Sequence, residues 1–432
     1  MDAYLIQAAK ELLTGFRGGT YAFGTGVLEQ AGPMAAALGQ NVLVVGNAAH
    51  TKSVLERVIQ SLLAHGLRID SVLGARPNTP IEDVCRIAGA IQTKKPDLVA
   101  AVGGGSTIDA VKAAAASACL GGEIERFFGT GLVGAELKKA GTSFVPILAV
   151  QTVAGSGAHL TKYANVTDPV KAQKKLIVDE VLVPAMAVFD YAVTVTTGRE
   201  TTVDGILDGM SHLVEVFFGT SPLDSTKYAV VERLIEVGLP LLLEGAARVL
   251  ADPEDLEGRS AIGLATDLGA YAIMIGSTNG PHLNSFSLVD IASHGRACGI
   301  LNPYYAVLFA AAVDRQLRVL GRILAGHGLL AGDLAKLSAQ DLALAVAEGM
   351  QQFLHKLGAP VSLKELPGFS TEHLERMLTA AKDPQLKMKL ENMPVPILPQ
   401  QVDSAVGSVL EAAKEGNLRL VRSLGGRPEC GL

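Results

Sequence analysis

Two apolar patterns alternate through the first half of the chain. Residues 41–46, Asn-Val-Leu-Val-Val-Gly, form a short apolar run of the kind that marks a strand covered on both faces. Residues 51–65 then set Val54, Leu55, Val58, Ile59, Leu62 and Leu63 at helical spacing, and Gly66 ends the helix. The alternation continues with a strand over 69–73 and a helix over 80–93 whose inner face carries Ile81, Val84, Ile87, Ala88 and Ile91. A strand over 97–102, a helix over 106–119 and a strand over 144–150 follow. Doubly covered strands joined by helices predict a parallel α/β sheet.

From about residue 200 the spacing is helical. Helices are predicted over 201–217, 225–244, 260–276, 303–320, 338–357, 371–381 and 401–415. The expected organisation is an α/β domain over residues 1–198 and an all-α domain over 199–432, with no internal repeat or low-complexity linker. The length, 432 residues, agrees with two or three domains of roughly 150 residues each.

Composition removes several classes of function. With 49% apolar residues the chain has a large core and is not a disordered protein. Its longest apolar run, residues 304–313, is shorter than the roughly 18 residues of a membrane helix. No basic, apolar, small-residue leader opens the sequence, so neither a membrane partner nor secretion is expected. A net charge of −6 argues against a nucleic-acid partner. Cys85, Cys119, Cys298 and Cys430 form no CxxC pair, which points to a reducing cytoplasm rather than a disulfide framework.

Candidate chemistry is concentrated in two places. The strand over 97–102 ends in Gly103, Gly104 and Gly105, and a helix opens at Ser106. Glycines let a ligand approach the backbone, and a helix N-terminus offers free N–H groups, so the turn suits a phosphate. The alternative is a plain tight turn with Ser106 as N-cap. A second small-residue turn, Gln151-Thr-Val-Ala-Gly-Ser-Gly157, follows the strand over 144–150. Asp208 and His212, four apart on a predicted helix, share a face, and Asp204 extends their stripe as a possible supporting group. His282, after Pro281, and His294, before Gly295, complete one carboxylate and three imidazoles, a donor set for Fe(II) or Zn(II); the alternative is a surface Asp–His pair with separately packed or solvated histidines.

Together, Gly103-Gly-Gly-Ser-Thr-Ile-Asp-Ala-Val-Lys112 and Asp208-Gly-Met-Ser-His-Leu-Val-Glu215 resemble the iron-containing (group III) alcohol dehydrogenase family. The resemblance runs from Phe23-Gly-Thr-Gly26 to Asn392-Met-Pro394 and includes Pro77-Asn78, Ala154-Gly-Ser-Gly157, Lys175, Pro184, Asp190 and His294-Gly295. It implies a Rossmann-like N-terminal domain and a helical C-terminal domain, the dehydroquinate synthase-like architecture, with the active site between them. It implies NAD or NADP on Gly103, Gly104, Gly105 and Ser106, with Asn47, Asn78, Thr152, Thr161 and Lys175 as further contacts. It implies a divalent metal, Fe(II) first and Zn(II) second, on Asp208, His212, His282 and His294. No catalytic residue is assigned beyond those ligands. The implied reaction is hydride transfer between an alcohol and an aldehyde or ketone, carried out on a small molecule by a cytoplasmic homodimer or higher homo-oligomer.

Several positions depart from the family pattern. The usual Pro-Thr-Thr-Ala-Gly-Thr-Gly-Ser-Glu becomes Gln151-Thr-Val-Ala-Gly-Ser-Gly-Ala-His159, a change expected near the nicotinamide and substrate. Phe286 stands where many members carry a further histidine, and the interval from His282 to His294 is shorter than usual. Gly46-Asn47 replaces a turn that often holds a ribose-binding aspartate, so NADP is expected alongside NAD. The competing reading is a dehydroquinate synthase-like lyase that uses metal and NAD on a polyol or sugar phosphate. A non-catalytic oligomeric relative is a third.

Overall fold

The computed structural model describes residues 2–425, with the backbone alone for 48–50 and 71–73. Cys430 lies outside the described residues. Among the described residues nine strands form two sheets: β1 (Tyr21–Gly24), β2 (Asn41–Gly46), β3 (Arg68–Leu73), β4 (Leu98–Gly103), β5 (Gly129–Thr130), β6 (Ile147–Gln151), β7 (Tyr163–Asp168), β8 (Gln173–Val178) and β9 (Met186–Asp190). The larger sheet has the order β1-β9-β6-β4-β2-β3 and is parallel throughout. Alternate residues explain why these strands read as unbroken apolar runs. Leu43, Val45, Val99 and Ala101 enter one core layer, and Val42, Val44, Leu98, Ala100 and Val102 enter the other.

The chain goes from β2 outward to β3 and returns to β4 on the other side of β2. The order therefore reverses between β2 and β4, the place where open α/β sheets hold ligands at their carboxyl edge. The smaller sheet, β5-β8-β7, was not anticipated by periodicity. Its antiparallel pair mixes Asn165, Thr167, Lys174 and Lys175 with apolar residues, so no clean run marks it. Behind it, fully buried Lys112 gives its ammonium protons to the carbonyls of Thr161 (2.7 Å) and Tyr163 (2.9 Å). Burial pushes this lysine down to about 8, and the charge of Asp109 opposes that shift.

The helical region follows the predicted segments closely, with one correction. The single helix expected over 303–320 is two, His294–Leu308 and Asp314–Gly326. Pro303 lies inside the first rather than at its start. The proline leaves the Gly299 carbonyl, one turn earlier, without its usual backbone donor, while Asn302 Nδ2 donates to the Cys298 carbonyl at 3.0 Å and to Ser211 Oγ at 2.8 Å. The Ala3–Arg17 helix and β1 also went unmarked by the sequence pattern.

By internal contacts the chain divides into two compact units, residues 10–202 with 251–263, and residues 1–9 with 203–250 and 264–432. The expected single cut at 198 differs from this in three short segments, residues 1–9, 199–202 and 251–263. Residues 251–263 belong with the sheet unit because Arg259 bonds Thr202 Oγ1 (2.9 Å) and the Thr197 carbonyl (3.4 Å). Gly263 also packs so tightly on Tyr191 that a β-carbon there would lie 2.3 Å from the ring. Residues 1–9 belong with the helical unit, where Arg233 donates to the Tyr4 hydroxyl at 2.9 Å.

Candidate functional site

In the helical unit, the Arg199–Gly219 helix carries Asp208 and His212 one turn apart on a buried face. His282 comes from the short Gly280–Ser285 helix, and His294 opens the His294–Leu308 helix. The fold converges all four side chains. The Nε2 atoms of His212, His282 and His294 stand 3.6, 3.6 and 3.8 Å from the same oxygen, Asp208 Oδ1. The His212 and His282 rings stack at 4.9 Å, and His294 meets His282 edge-on at 4.9 Å.

Hydrogen-bond partners fix the tautomers. Ser285 Oγ donates its one proton to the His282 carbonyl at 2.8 Å, so at 3.0 Å from His294 Nδ1 it must accept. His294 is therefore protonated on Nδ1 and presents a lone pair on Nε2. His282 Nδ1 lies 2.6 Å from Glu215 Oε1, while Glu215 Oε2 accepts from the backbone N–H groups of Asn279 (2.8 Å) and His282 (3.4 Å). Those donors suit a carboxylate, which places the His282 proton on Nδ1 and again frees Nε2. Burial pushes Glu215 up to about 7. It also pushes Lys389, whose ammonium bonds Thr278 Oγ1, down to about 8. The charge of each group opposes the shift of the other.

One anionic oxygen and imidazole lone pairs turned toward it are the donors a borderline divalent cation takes. Asp208, His282, His294 and Cys298 each offer a ligand atom within 4.8 Å of the others. Cys298, one turn past His294, has its Sγ 4.0 Å from His294 Nδ1, the nitrogen already turned to Ser285. It therefore backs that ring. Phe286 covers the ring from another side, stacked at 5.8 Å.

The stripe residue Asp204 pairs with Arg296 Nε at 3.0 Å, tying the Asp208 helix to the His294 helix. Gly295 makes that crossing possible, since a β-carbon there would lie 1.9 Å from the Asp204 carbonyl oxygen and 3.0 Å from Asp208 Cβ. Gly295→Ala should therefore push the two ligand-bearing helices apart. The expected result is a loss of about 1–3 kcal/mol of stability together with weaker divalent-metal retention. Denaturant unfolding with metal analysis checks it, and an unchanged midpoint with full metal content would contradict the argument.

In the sheet unit the three glycines differ in purpose. A β-carbon at Gly103 would meet Thr107 Oγ1 at 2.6 Å, and one at Gly105 would meet Ser156 Oγ at 2.5 Å. At Gly104 the nearest atoms belong to Val153, at an ordinary 3.7 Å. The N-cap of the Gly105–Leu120 helix is Gly104, not Ser106. Ser106 Oγ instead accepts from the Asn78 N–H at 3.0 Å, and its carbonyl accepts from Thr79 Oγ1 at 2.9 Å. These bonds hold Asn78 and Thr79 in left-handed backbone, φ 63° and 52°, beside the turn.

Thr152 donates its N–H to the Gly103 carbonyl at 3.1 Å. Its buried hydroxyl has no hydrogen-bond partner among the described residues. Asn47 follows β2 at the same sheet edge and gives its amide to the Ala75 carbonyl at 3.3 Å. Thr161 is buried just before β7, and Lys175 lies half-buried on β8 opposite Val166. Hydrogen bonds from backbone N–H groups thus bring the turn, Asn78 and Thr152 together, and Thr161 and Lys175 belong to the neighbouring strand pair. His159, expected near the substrate, is a packed core residue: it bonds the Tyr21 hydroxyl at 3.1 Å and meets the Phe189 ring edge-on at 5.4 Å.

Sequence reasoning missed Glu215, Ser285 and Cys298 as supports. A signal existed for two of them. Glu215 lies three residues past His212 and Cys298 four past His294, both on ligand-bearing faces.

A parallel sheet with a glycine turn at its switch point, and a helical unit with a carboxylate ringed by imidazoles, define a metal- and dinucleotide-dependent class of enzyme. Residues 19–191 match the family described as iron-containing alcohol dehydrogenase, and residues 202–403 match its C-terminal region. The chain belongs to that family and is an alcohol oxidoreductase. The family match selects the dehydrogenase over the lyase.

The NAD-dependent methanol dehydrogenase of Bacillus methanolicus is 24% identical over 358 residues, 82% of this chain and 88% of that one. Long-chain-alcohol dehydrogenase 1 of Geobacillus thermodenitrificans is 23% identical over 402 residues, 91% and 95% of the two chains. Among solved structures, the NADH-dependent butanol dehydrogenase A of Thermotoga maritima superposes with a TM-score of 0.76 at 24% identity, covering 91% of this chain and 96% of that one. The alcohol dehydrogenase of Oenococcus oeni gives 0.77 at 21% identity, covering 91% and 98%. These likenesses support the fold. No helix among the described residues is long and apolar enough to cross a membrane.

Proposed function

We propose that Asp208, His212, His282 and His294 hold a divalent cation, Fe(II) first and Zn(II) second. In this reading Gly103 to Ser106, with Asn47, Asn78, Thr152, Thr161 and Lys175, hold NAD or NADP. The observation that carries it is the convergence of three Nε2 atoms on one Asp208 oxygen, with two rings tautomerically set by Glu215 and Ser285. The chemistry such groups supply when bound is Lewis acidity toward an alcohol oxygen and hydride acceptance by the nicotinamide.

The protein's own residues then have clear tasks. Asp208 provides the one negative charge of the donor set. Glu215 and Ser285 keep protons on the Nδ1 atoms, so the Nε2 lone pairs stay directed inward. The buried ring stack of His212 and His282 keeps bulk water off that side. The N–H groups that open the Gly105–Leu120 helix lie at the glycine turn, where a pyrophosphate is favoured. A nicotinamide absorbance assay over a panel of alcohols and aldehydes, with the bound metal identified in parallel, tests the reading. No turnover of any member by the metal-loaded protein would sink it.

Cofactor choice gives a separate prediction. The turn Gly46-Asn47-Ala48 offers no carboxylate to repel a 2′-phosphate, and only Lys52 lies close in sequence to attract one. Both cofactors should be used, with kcat/KM values within about 100-fold, about 2.7 kcal/mol. Asn47→Asp should shift preference toward NAD. Steady-state kinetics with NADH and NADPH on one aldehyde decides it, and a preference above roughly 1000-fold for either refutes it.

A further inference from the structure

Asp208 and His212 share one long helix, which fixes their spacing. The spacing of His282 and His294 has no such basis. Residues 286–293 join the Gly280–Ser285 helix to the His294–Leu308 helix without a helix of their own. Local backbone bonds shape this turn, from the Leu288 N–H to the Ser285 carbonyl (3.1 Å) and from the Ala292 N–H to the Leu288 carbonyl (2.9 Å). They do not tie it to the rest of the fold.

The Thr371–Ala381 helix supplies that tie. It buries Leu374 and Met377 and lays Arg376 over the turn. Arg376 Nε donates to the Ser287 carbonyl at 2.8 Å, and Nη2 donates to the same carbonyl and to Asp290 Oδ1. The other Asp290 oxygen, Oδ2, lies 3.4 Å from His373 Nε2. The Ser370 N–H donates to His373 Nδ1 at 3.1 Å, which places the His373 proton on Nε2, facing that carboxylate. A β-carbon at Gly368 would lie 3.3 Å from Ile291 Cγ2, so the chain just before this helix also packs on the turn.

These contacts differ in weight. The Arg376 and Asp290 side chains are 27% and 38% exposed, so their ion pair alone contributes little. Ser287 is fully buried, and the bond to its carbonyl is charge-assisted. Losing that bond strands an acceptor away from water. Asp290 therefore serves chiefly to aim the guanidinium at Ser287.

We propose that Arg376 is a positioning residue of the metal centre: by gripping Ser287 and Asp290 it sets the spacing of His282 and His294 before a cation arrives. The proposal rests on the ligand assignment made above. Donors held in place beforehand lose less freedom when the cation binds, so the grip acts on metal affinity and on coordination geometry.

Co(II) is a suitable probe, because its visible absorption reports both occupancy and geometry. The full-length protein, stripped of metal, is titrated with Co(II) against a competing chelator. Arg376→Ala should weaken Co(II) binding at least about tenfold, the scale of one lost charge-assisted hydrogen bond, and should shift the visible bands. Arg376→Lys, a point charge without the fork, should fall between it and wild type. Asp290→Ala should weaken binding about threefold. Lys382→Ala breaks the charged tie to Asp403 (2.7 Å) at the end of the same helix and leaves the turn alone, so it should change neither affinity nor spectrum.

Wild-type protein that takes up no Co(II) would sink the ligand assignment, and the proposal with it. Wild-type uptake with unchanged affinity and spectrum in Arg376→Ala overturns the proposal alone. So does an equal loss in Lys382→Ala, which would mark a general loosening of the helix. If Arg376→Ala does not fold, Arg376→Lys and Asp290→Ala carry the test, and wild-type Co(II) affinity in both overturns it.

Discussion

Asp208→Ala and His212→Ala should each strip the divalent cation from the purified protein and lower kcat/KM at least a thousandfold while the chain stays folded. Asp208 contributes the oxygen on which all three Nε2 atoms converge at 3.6–3.8 Å. Removing it takes away the only negative charge of that set, leaving neutral imidazoles, a weaker site for a hard or borderline cation. His212 shares the helix face with Asp208, and its loss leaves three donors. Lewis-acid assistance is worth several kcal/mol, and about 4 kcal/mol corresponds to the thousandfold expected. The fold should survive because both changes shorten side chains on the long, well-packed Arg199–Gly219 helix. Metal analysis and circular dichroism run side by side read the result. Full metal occupancy in both variants would remove these residues from the ligand set. Asp208→Asn, which keeps shape and hydrogen-bonding oxygen but loses charge, should fall between wild type and Asp208→Ala in metal retention.

The parts of this architecture legible in the sequence are those that a single periodicity encodes. Strands β2, β4 and β6 are covered on both faces, so Val42 to Val45, Leu98 to Val102 and Ile147 to Val150 are apolar throughout. The β7–β8 pair is largely buried as well, but it carries Asn165, Thr167, Gln173, Lys174 and Lys175 among its apolar residues, so its strands do not stand out. Pro303 was misplaced because a proline usually opens a helix or ends one. Here the His294–Leu308 helix runs through it. At the clustered site, the pair Asp208 and His212 was readable as neighbours on one turn. Their meeting with His282 and His294 required a helix crossing that depends on Gly295, whose need is visible only against the Asp204 carbonyl. Ser285 could not be assigned from its position alone, because its role comes from one proton shared out between two partners in space.

Gly104→Val should abolish dinucleotide binding without harming the fold, whereas Gly105→Ala should harm the fold. The backbone at Gly104, φ −81° and ψ −171°, is extended and open to any residue, and a β-branched side chain suits it. Its β-carbon would lie 3.7 Å from Val153, an ordinary contact, so the β-carbon itself is accommodated without a clash. The added bulk stands instead at the N-terminus of the Gly105–Leu120 helix, where free N–H groups and the helix dipole favour a pyrophosphate. The expected loss of cofactor affinity is at least about 100-fold, about 2.7 kcal/mol, with an unchanged melting temperature. At Gly105 the new atom would lie 2.5 Å from Ser156 Oγ and 2.9 Å from its Cβ, so the second small-residue turn must shift. That overpacking should cost about 1–3 kcal/mol of stability. Fluorescence titration with NADH and thermal unfolding on the same two variants separate the effects. If Gly104→Val folds normally and binds NADH as tightly as wild type, the pyrophosphate does not lie over Gly104. If Gly105→Ala is as stable as wild type, the Ser156 turn yields freely, and the close packing of the two turns is not what fixes the shape of the phosphate-binding edge.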